Sequence, residues 1–312
     1  MSGNSSASNA RVFTVGTRGS RLALRQTEIA LEALRRVQPQ ARLQVRTIRT
    51  EGDRTSASLN EIGGRGVFVI EIEKALLTEK IDLAIHSLKD LPTQETDGLT
   101  LAAALKREDP RDALVSRDRC PLDGLRAGAI VGTGSPRRAS QLKGLRPDLQ
   151  VEDIRGNVDT RVRKVDKGEY DGVVLAAAGL ARLGWVDRAD QIFEPEQMLP
   201  AVGQGILAIQ ARADDEAAIA LAASVDHLES HVAALAERAF ERRLGGGCHA
   251  AIGALADVQG FELRLRGYVG DQQGGAVRGE ITGQTTDAEA CGLRLAEQLI
   301  AQGAGELLKA AS

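Results

Sequence analysis

The sequence predicts an α/β protein of three domains, in which two α/β domains form a cleft and a smaller α+β domain follows them. At 312 residues the chain exceeds the length at which one hydrophobic core usually stops growing. From Arg11 to about Arg212, short apolar runs alternate with helical patterns, which is typical of parallel sheets covered by helices. After about residue 228 this alternation gives way to one long helix and two neighbouring strands.

The first α/β domain is predicted over residues 11–105 and 203–223. Its opening run has strand character, and Ser20 is placed to cap the helix that follows. The segment GQGILAIQAR (203–212) comes after the second domain in the chain and is expected to return to the first. The predicted elements are the strand RVFTVG, the helix RLALRQTEIALEALRRV, the strand LQVRTIRT, the helix VFVIEIEKALLTEK and the strand IDLAIHS.

The second α/β domain, predicted over residues 106–202, repeats the same rhythm. Its elements are the strand AIVGT, the helix PRRASQLKGL, the strand LQVEDI, the helix NVDTRVRKVDKGE, the strand YDGVVLA and the helix AAAGLARLG. The third domain, residues 224–312, is predicted to hold a long helix to Arg243, the strands AAIGALADV and FELRLRGYVG, and a final helix from Asp287. Residues 1–10 are polar and are expected to form a disordered tail.

Composition excludes several classes of function. Aromatic residues make up only 3% of the chain and the net charge is −3, which disfavours nucleic-acid binding because such proteins stack bases on aromatic side chains and are usually basic. The three cysteines lie far apart without a C-x-x-C pair, which disfavours a zinc site or a disulfide framework and fits a reducing compartment. No signal peptide or membrane span is predicted, so a cytoplasmic protein is expected.

Arginines and hydroxyl residues recur in loops that directly follow predicted strands. Ligands of open α/β sheets bind outside the carboxyl ends of the strands, and helix N-termini favour anions. The arginine pair in G-T-G-S-P-R-R stands where a dinucleotide fingerprint would need its third glycine, and guanidinium groups grip carboxylates bidentately. The sequence therefore predicts a cleft for a small molecule with several carboxylates. The residues concerned are Arg18, Ser20, Thr133, Ser135, Arg137, Arg138, Arg155, Arg161 and Arg182.

Two further segments carry candidate chemistry. In H-S-L-K-D-L-P, Lys89 and Asp90 form either a surface turn or part of the cleft, where Asp90 would handle protons or stabilise a cation; His86 is interpreted as structural. In G-G-G-C, Cys248 stands on a bare loop, which favours access over simple burial. The residues alone leave open whether its sulfur attacks a substrate, holds a metal, carries a group permanently or is inert.

Nine motifs in order, from about Val12 to Lys309, resemble the porphobilinogen deaminase (hydroxymethylbilane synthase) family. They are V-G-T-R-G-S, G-G-R-G-V-F, H-S-L-K-D-L-P-T, R-E-D-P-R-D-A, V-G-T-G-S-P-R-R, R-G-N-V-D-T-R, A-A-A-G-L-A-R-L-G, L-P-A-V-G-Q-G and G-G-G-C. The resemblance implies two periplasmic-binding-protein-like α/β domains and a monomer. It implies the condensation of four porphobilinogen molecules on a covalent dipyrromethane cofactor, with release of ammonia and final hydrolysis to hydroxymethylbilane.

The resemblance also implies roles for individual residues. Cys248 matches the position of the thioether to dipyrromethane, and Asp90 matches the catalytic aspartate. The implied cofactor-binding residues are Ser87, Lys89, Asp90, Thr133, Ser135, Arg137, Arg138 and Arg155. The implied substrate-binding residues are Arg18, Ser20, Phe68, Arg155, Arg161, Arg182 and Gln204. No metal is implied.

The sequence departs from the family pattern at three places, and two other functions compete with the implied one. Arg65 replaces a common lysine, Gly134 and Pro136 replace other residues often seen around the arginine pair, and His249-Ala250-Ala251 stands in place of the usual Q-x-P after the cysteine. The loop 51–66 is a candidate lid. The alternatives are a binding module for an organic polyanion without catalysis, and a hydrolase that uses Cys248 as nucleophile.

Overall fold

The computed structural model describes residues 11–49, 69–245 and 250–310, in which three separate sheets are formed. The strands are β1 (Val12–Arg18), β2 (Arg42–Ile48), β3 (Leu83–Ser87), β4 (Leu99–Ala104), β5 (Asp112–Ser116), β6 (Ile130–Gly132), β7 (Gln150–Glu152), β8 (Gly172–Ala176), β9 (Gln191–Ile192), β10 (Leu207–Arg212), β11 (Ala251–Gln259), β12 (Glu262–Gly270) and β13 (Ala276–Gln284). The helices are α1 (Arg21–Val37), α2 (Ile70–Leu77), α3 (Pro136–Leu145), α4 (Val158–Asp166), α5 (Ala177–Arg182), α6 (Glu216–Ala223), α7 (Leu228–Leu244), α8 (Ala288–Leu299) and α9 (Gly305–Ala310).

The first sheet has the strand order β2–β1–β3–β10–β4. Strand β1 pairs in parallel with β2 and β3, whereas β10 runs antiparallel between β3 and β4. Leu31 and Leu34 of α1 and Leu221 of α6 pack in one buried cluster with Val15 and Ile209 of the sheet. Because β10 follows the whole second sheet in the chain, the chain leaves the first sheet and later returns to it.

The second sheet, in the order β7–β6–β8–β5–β9, has the same plan. Strands β6, β7 and β8 are parallel, and β5, which arrives directly from β4 of the first sheet, pairs antiparallel with β8 and β9. Each of these two sheets therefore contains one antiparallel strand, β10 in the first and β5 in the second, which the chain forms after crossing from the other sheet. The predicted fold class, two α/β domains and a smaller α+β domain, is confirmed.

The third sheet is the antiparallel meander β11–β12–β13. Helices α7 and α8 pack on one face, where Phe240 and Leu295 form a buried cluster with Leu265. Strand β13 was not predicted from the sequence. It is exposed at every second residue and half-buried at the others. None of the helices in the described part of the chain has the length and apolar character that a membrane-spanning segment requires.

We propose domain boundaries at residues 11–105 with 203–223 for domain 1, 106–202 for domain 2 and 224–312 for domain 3. The strand exchange supports this division, because β10 completes the sheet of β1–β4 although it follows domain 2 in the chain. The tail 1–10 and residues 311–312 lie outside the described residues.

A buried ion pair joins the three domains where both linkers cross. Arg107, on the linker into domain 2, donates from Nη1 to Glu237 Oε1 of α7 at 2.5 Å. Glu237 is fully buried, and its two carboxylate oxygens also accept from Gly203 N at 2.7 Å and from Ala256 N at 2.8 Å. Arg107 Nε donates to the carbonyl oxygen of Gln204 at 2.8 Å. One carboxylate from domain 3 thus holds both linkers between domains 1 and 2.

Replacing Arg107 by methionine is expected to lower the free energy of unfolding by about 3–5 kcal/mol, because it leaves the buried carboxylate of Glu237 without its counter-charge. Urea unfolding followed by circular dichroism measures this. The control is Arg264→Met, which removes a half-exposed ion pair with Glu280 and should change stability by less than about 1 kcal/mol. Equal effects of the two substitutions would contradict the structural role of the Arg107–Glu237 pair.

Candidate active site

A cleft of about 280 Å³ lies between the first and second sheets. Domain 1 lines it with the loop after β1, the start of α1 and the end of β3, and domain 2 with the starts of α3, α4 and α5. These are the carboxyl ends of parallel strands, as the position of the sequence motifs predicted. Of the predicted site residues, the cleft brings together Arg18, Ser20, Ser87, Lys89, Asp90, Arg138, Arg161, Arg182 and Gln204.

The start of α1 forms one wall of the cleft. Ser20 is the N-cap of α1, and its side chain accepts a hydrogen bond from Ala23 N at 3.2 Å. One turn further, the buried side chain of Gln26 donates to Ser87 Oγ at 2.8 Å and so ties α1 to the end of β3. Sequence reasoning missed Gln26, although a polar residue on the buried face of an amphipathic helix was the available signal.

Asp90 and Lys89 enter the cleft because a turn of 3-10 helix (Leu88–Asp90) follows β3. The turn is anchored by Leu88, whose side chain is buried and whose N–H donates to Ile206 O at 3.0 Å. No group of residues 11–49, 69–245 or 250–310 hydrogen-bonds or pairs with the Asp90 carboxylate, which is half-buried. This carboxylate is therefore available to N–H groups of a ligand.

Lys89 lies beside Asp90 and donates from Nζ to Gln204 Oε1 at 3.3 Å. Burial, together with the charge of Arg138, lowers the pKa of Lys89 to about 8 against the opposing charges of Asp90 and Asp112. Gln204 itself donates to Asp112 Oδ1 at 2.9 Å and to Pro110 O at 2.7 Å. The ammonium group is thus held by a fixed amide and loses its proton more readily than a lysine in water.

The affinity for a ligand carboxylate at Lys89 is expected to fall as the pH rises through about 8. Only the protonated amine pairs with a carboxylate, so above the pKa of the free protein binding must take up a proton, and the apparent Kd of the ligand rises by up to about tenfold per pH unit. The measurement is the ratio of the apparent Kd of the ligand for wild type to that for Lys89→Met, determined on protein with an empty cleft between pH 7 and 9.5; titration of the ligand cancels in this ratio. A ratio that does not change with pH contradicts the assignment.

The arginine pair at the start of α3 is anchored by a carboxylate that the sequence analysis did not single out. Asp112 is fully buried; Arg137 Nη1 donates to its Oδ2 at 2.7 Å, and Arg138 Nη2 donates to its Oδ1 at 2.7 Å. Burial raises the pKa of Asp112, but the charges of Arg137 and Arg138 outweigh it and hold the pKa well below its usual range. The available signal was the R-E-D-P-R-D-A motif, which contains Asp112. The arginines that pair with Asp112 lie 25 and 26 positions further along the chain.

The two arginines differ in what they face. Arg138 lines the cleft and also donates from Nη1 to Val174 O at 2.9 Å. Arg137 does not line the cleft; its Nη1 donates to Leu199 O at 2.7 Å as well as to Asp112. Arg138 therefore presents a positive charge to the cleft, whereas Arg137 binds the carbonyl of Leu199 outside the cleft lining.

Two further arginines of domain 2 line the cleft and are fixed by backbone carbonyls. Arg161 Nε donates to Gly156 O at 2.7 Å, and Arg182 Nη2 donates to Gly205 O at 2.6 Å. Burial lowers the pKa of both arginines to about 10, so both remain charged at neutral pH. Gly205 has a φ of +92°, and a Cβ at this position would clash with Glu108 O, so glycine is required there.

Three other predicted residues do not line the cleft. Ser135 is the N-cap of α3, and its N–H donates to Thr133 Oγ1 at 3.1 Å, so both hydroxyls shape the turn before the arginine pair. Arg155 donates from Nε to Asp153 Oδ2 at 2.7 Å. In the same turn Pro136 occupies the first helical position, where its fixed φ is suitable.

Cys248 and Phe68 lie outside the described residues, as do Arg65, His249 and the predicted lid 51–66. The described chain reaches the cysteine loop from α7, which ends at Leu244, and Gly245 closes the helix in the left-handed conformation with φ +66°. It resumes at the buried Ala250, directly before β11.

His86, interpreted as structural, lines the cleft from the end of β3 and is buried. Burial lowers the pKa of His86 to about 4, against the opposing charge of Asp90, so the imidazole is neutral at physiological pH. Its Nε2 has no hydrogen-bond partner within the part of the chain that the structure describes. No group of three or more metal-ligating side chains occurs among the described residues.

The two α/β domains enclose fixed cations and one carboxylate that has no partner among the described residues. These features define a class of protein, one with an interdomain cleft for an organic polyanion. The family model described as "Porphobilinogen deaminase, dipyromethane cofactor binding domain" matches residues 13–220, and that of the "Porphobilinogen deaminase, C-terminal domain" matches residues 231–301. The chain belongs to the porphobilinogen deaminase family. It is a transferase with a dipyrromethane cofactor, as the resemblance implied.

Curated relatives match over nearly their whole length. The porphobilinogen deaminase of Roseiflexus sp. is 49% identical over 299 residues, covering 96% of this chain and 99% of its own. That of Thermus thermophilus is 47% identical over 300 residues, covering 96% and 98%. Among solved structures, the arginine-specific periplasmic binding protein of Salmonella typhimurium is 14% identical, with a TM-score of 0.42 over 69% of this chain and 92% of that chain. The periplasmic VFT2 domain of Bordetella pertussis BvgS is 14% identical, with a TM-score of 0.39 over 69% and 86%.

Proposed function

We propose that this chain joins four porphobilinogen molecules head to tail on a dipyrromethane attached to Cys248, releases one ammonia at each addition and frees hydroxymethylbilane by hydrolysis. The observation that carries the proposal is the cleft itself, in which several fixed cations surround the Asp90 carboxylate. Cations suit the acetate and propionate groups of the pyrroles, and the carboxylate suits pyrrole N–H groups.

Asp90 acts where positive charge develops. When the carbon–nitrogen bond of the protonated aminomethyl group breaks, ammonia leaves with the electron pair and the pyrrole becomes a cationic azafulvene. A carbon–carbon bond then forms at the free α-position of the neighbouring ring, which loses a proton. A carboxylate fixed beside the ring nitrogen stabilises both cationic stages, because its charge is already in place before reaction.

The cations of the cleft hold the acidic arms of the rings. Arg138 and Lys89 stand at the junction of the two domains, linked through Gln204. Arg18 and Ser20 approach from domain 1, and Arg161 and Arg182 from domain 2. We assign cofactor contacts to Ser87, Lys89 and Arg138, and substrate contacts to Arg18, Ser20, Arg161, Arg182 and Gln204.

Dipyrromethane, when bound, supplies the free pyrrole end to which the first substrate ring is joined. The cleft fits such a group, because the Asp90 carboxylate has no partner among the described residues and cations line both walls. Attachment through Cys248, substrate contact by Phe68, and cofactor contacts by Thr133, Ser135, Arg137 and Arg155 stay predictions, as does substrate contact by Arg155.

We further propose that the protein is a cytoplasmic monomer that binds neither nucleic acid nor a membrane. The separated cysteines fit a reducing compartment, and the net charge of −3 with 3% aromatic residues disfavours polyanionic polymers. Sedimentation of the purified protein measures the oligomeric state.

Incubation of the purified protein with porphobilinogen tests the function. We expect consumption of porphobilinogen, release of ammonia and, after oxidation, uroporphyrin. A binding module would instead leave the porphobilinogen unconsumed, and its purified polypeptide, freed of porphobilinogen, would have an unmodified mass and give no red colour with Ehrlich's reagent. A cysteine hydrolase would be alkylated at Cys248 by iodoacetamide, which a thioether resists. Either of these results would overturn the proposal.

A further inference from the structure

The Asp90 turn is supported from behind by α7, the helix that leads to the loop of Cys248. Arg238 of α7 is only 5% exposed. Its Nη2 donates to Pro92 O at 2.7 Å and its Nη1 to Leu91 O at 3.3 Å, the two residues that follow Asp90. Buried guanidinium groups are costly unless they are hydrogen-bonded, so this geometry fixes the chain at the end of the turn.

Two neighbouring contacts of α7 reach the other side of the same turn. Ala234, one helical turn before Arg238, packs in a buried cluster with Leu88 and Leu91. Glu237, the residue next to Arg238, accepts from Gly203 N, and Gly203 lies directly against the Leu88 side chain. The turn that carries Asp90 is thus held by α7 at its beginning and at its end.

We propose that Arg238 is a positioning residue, which sets the Asp90 carboxylate relative to the cofactor by fixing the Leu91–Pro92 segment to α7. The inference rests on the proposed function, because it takes Asp90 as the catalytic group and Cys248 as the attachment point. α7 ends at Leu244, and the cysteine loop follows. Because α7 holds the turn at both ends, a shift of the turn against α7 moves the Asp90 carboxylate away from the position that the reaction requires.

Arg238→Met, which keeps the length of the side chain and removes all donors, tests the inference. We expect kcat per cofactor-loaded chain to fall by about tenfold, with KM for porphobilinogen within about twofold of wild type. Intact mass gives the loaded fraction and circular dichroism gives the folded fraction, so neither unloaded nor unfolded chains enter kcat. The matched control is Arg242→Met, one turn further along α7, where Arg242 is exposed and pairs only with Glu289 among the described residues; it should leave kcat unchanged.

A double-mutant cycle with Asp90→Glu separates positioning from general support. In the Asp90→Glu background the carboxylate is already displaced, so Arg238→Met should change kcat by less than about twofold. Arg238→Lys, which keeps the charge and one donor nitrogen, should recover part of the activity. It replaces Arg238→Met in the cycle if the methionine variant does not fold. Wild-type kcat in the tested Arg238 variant, or an equal loss in both backgrounds, overturns the inference.

The same set of variants distinguishes this inference from the proposed function. Inactive Asp90→Asn together with wild-type kcat in Arg238→Met removes the positioning role and leaves the proposed function standing. Near-normal activity of Asp90→Asn removes Asp90 from the mechanism, and the positioning role with it, but leaves the proposed reaction standing. Failure of the wild-type protein to consume porphobilinogen removes both.

Discussion

Replacing Asp90 by asparagine is expected to lower kcat by about 10²–10³-fold while the protein folds and retains its cofactor. The substitution removes the negative charge at the point where the azafulvene cation forms, and the amide keeps the size of the side chain. Stability should change little, because no group of the described residues depends on the Asp90 carboxylate for a hydrogen bond. Steady-state kinetics with porphobilinogen, normalised to the loaded fraction by intact mass, measures the effect.

The matched control for Asp90→Asn is Asp97→Asn, an exposed aspartate between the Asp90 turn and β4. This variant removes the same charge outside the cleft and should keep wild-type kcat. An Asp90→Asn variant whose kcat lies within about twofold of wild type would remove Asp90 from the mechanism.

Replacing Arg138 by alanine is expected to prevent loading of the cofactor and to lower the free energy of unfolding by about 3 kcal/mol or more. Arg138 contributes a charge to the cleft and two of the donors on the buried Asp112 carboxylate. Without it, Asp112 keeps Arg137 alone as its ion-pair partner among the described residues, and the cleft loses the cation at the domain junction. Intact mass gives the loaded fraction, and urea unfolding gives the stability.

Two further variants separate these effects of Arg138. Arg138→Lys keeps one positive charge near Asp112, so it should recover more of the stability than of the loading, because lysine cannot grip two acceptors with a planar fork. Arg163→Ala removes an exposed arginine of α4 and should change neither quantity. Full loading of the Arg138→Ala variant would contradict the assignment of Arg138 as a carboxylate ligand.

Local signals made parts of the fold predictable. The helix expected from Ser20 to Val37 is observed as α1, because the cap and the apolar spacing are both encoded within the segment itself. Strand β13 escaped prediction because its apolar residues Val277 and Ile281 alternate with charged residues and glycines, and only one face packs on the domain. This alternation is too weak to predict a strand by itself, and the segment forms a strand because it pairs with β12.

In the candidate site too, local motifs predicted some residues, whereas contacts between distant parts of the chain were not predictable. The sequence motifs predicted that Asp90 and several arginines meet at the carboxyl ends of strands, and nine of the predicted residues do line the cleft. The partners that fix them were not predictable, because Arg138 and Asp112 are 26 positions apart and Lys89 and Gln204 are 115 apart. Such pairs form only where folding brings distant segments of the chain together, so no local pattern in the sequence reveals them.

Mass spectrometry of the intact protein, followed by peptide mapping, tests the central claim most directly. Protein produced in a host that makes porphobilinogen should exceed the polypeptide mass by one dipyrromethane, located on the peptide that contains Cys248. Brief exposure to limiting porphobilinogen should then add whole pyrrole units to the same peptide. A polypeptide of unmodified mass, with a free thiol at Cys248 and no added pyrroles, would contradict the account.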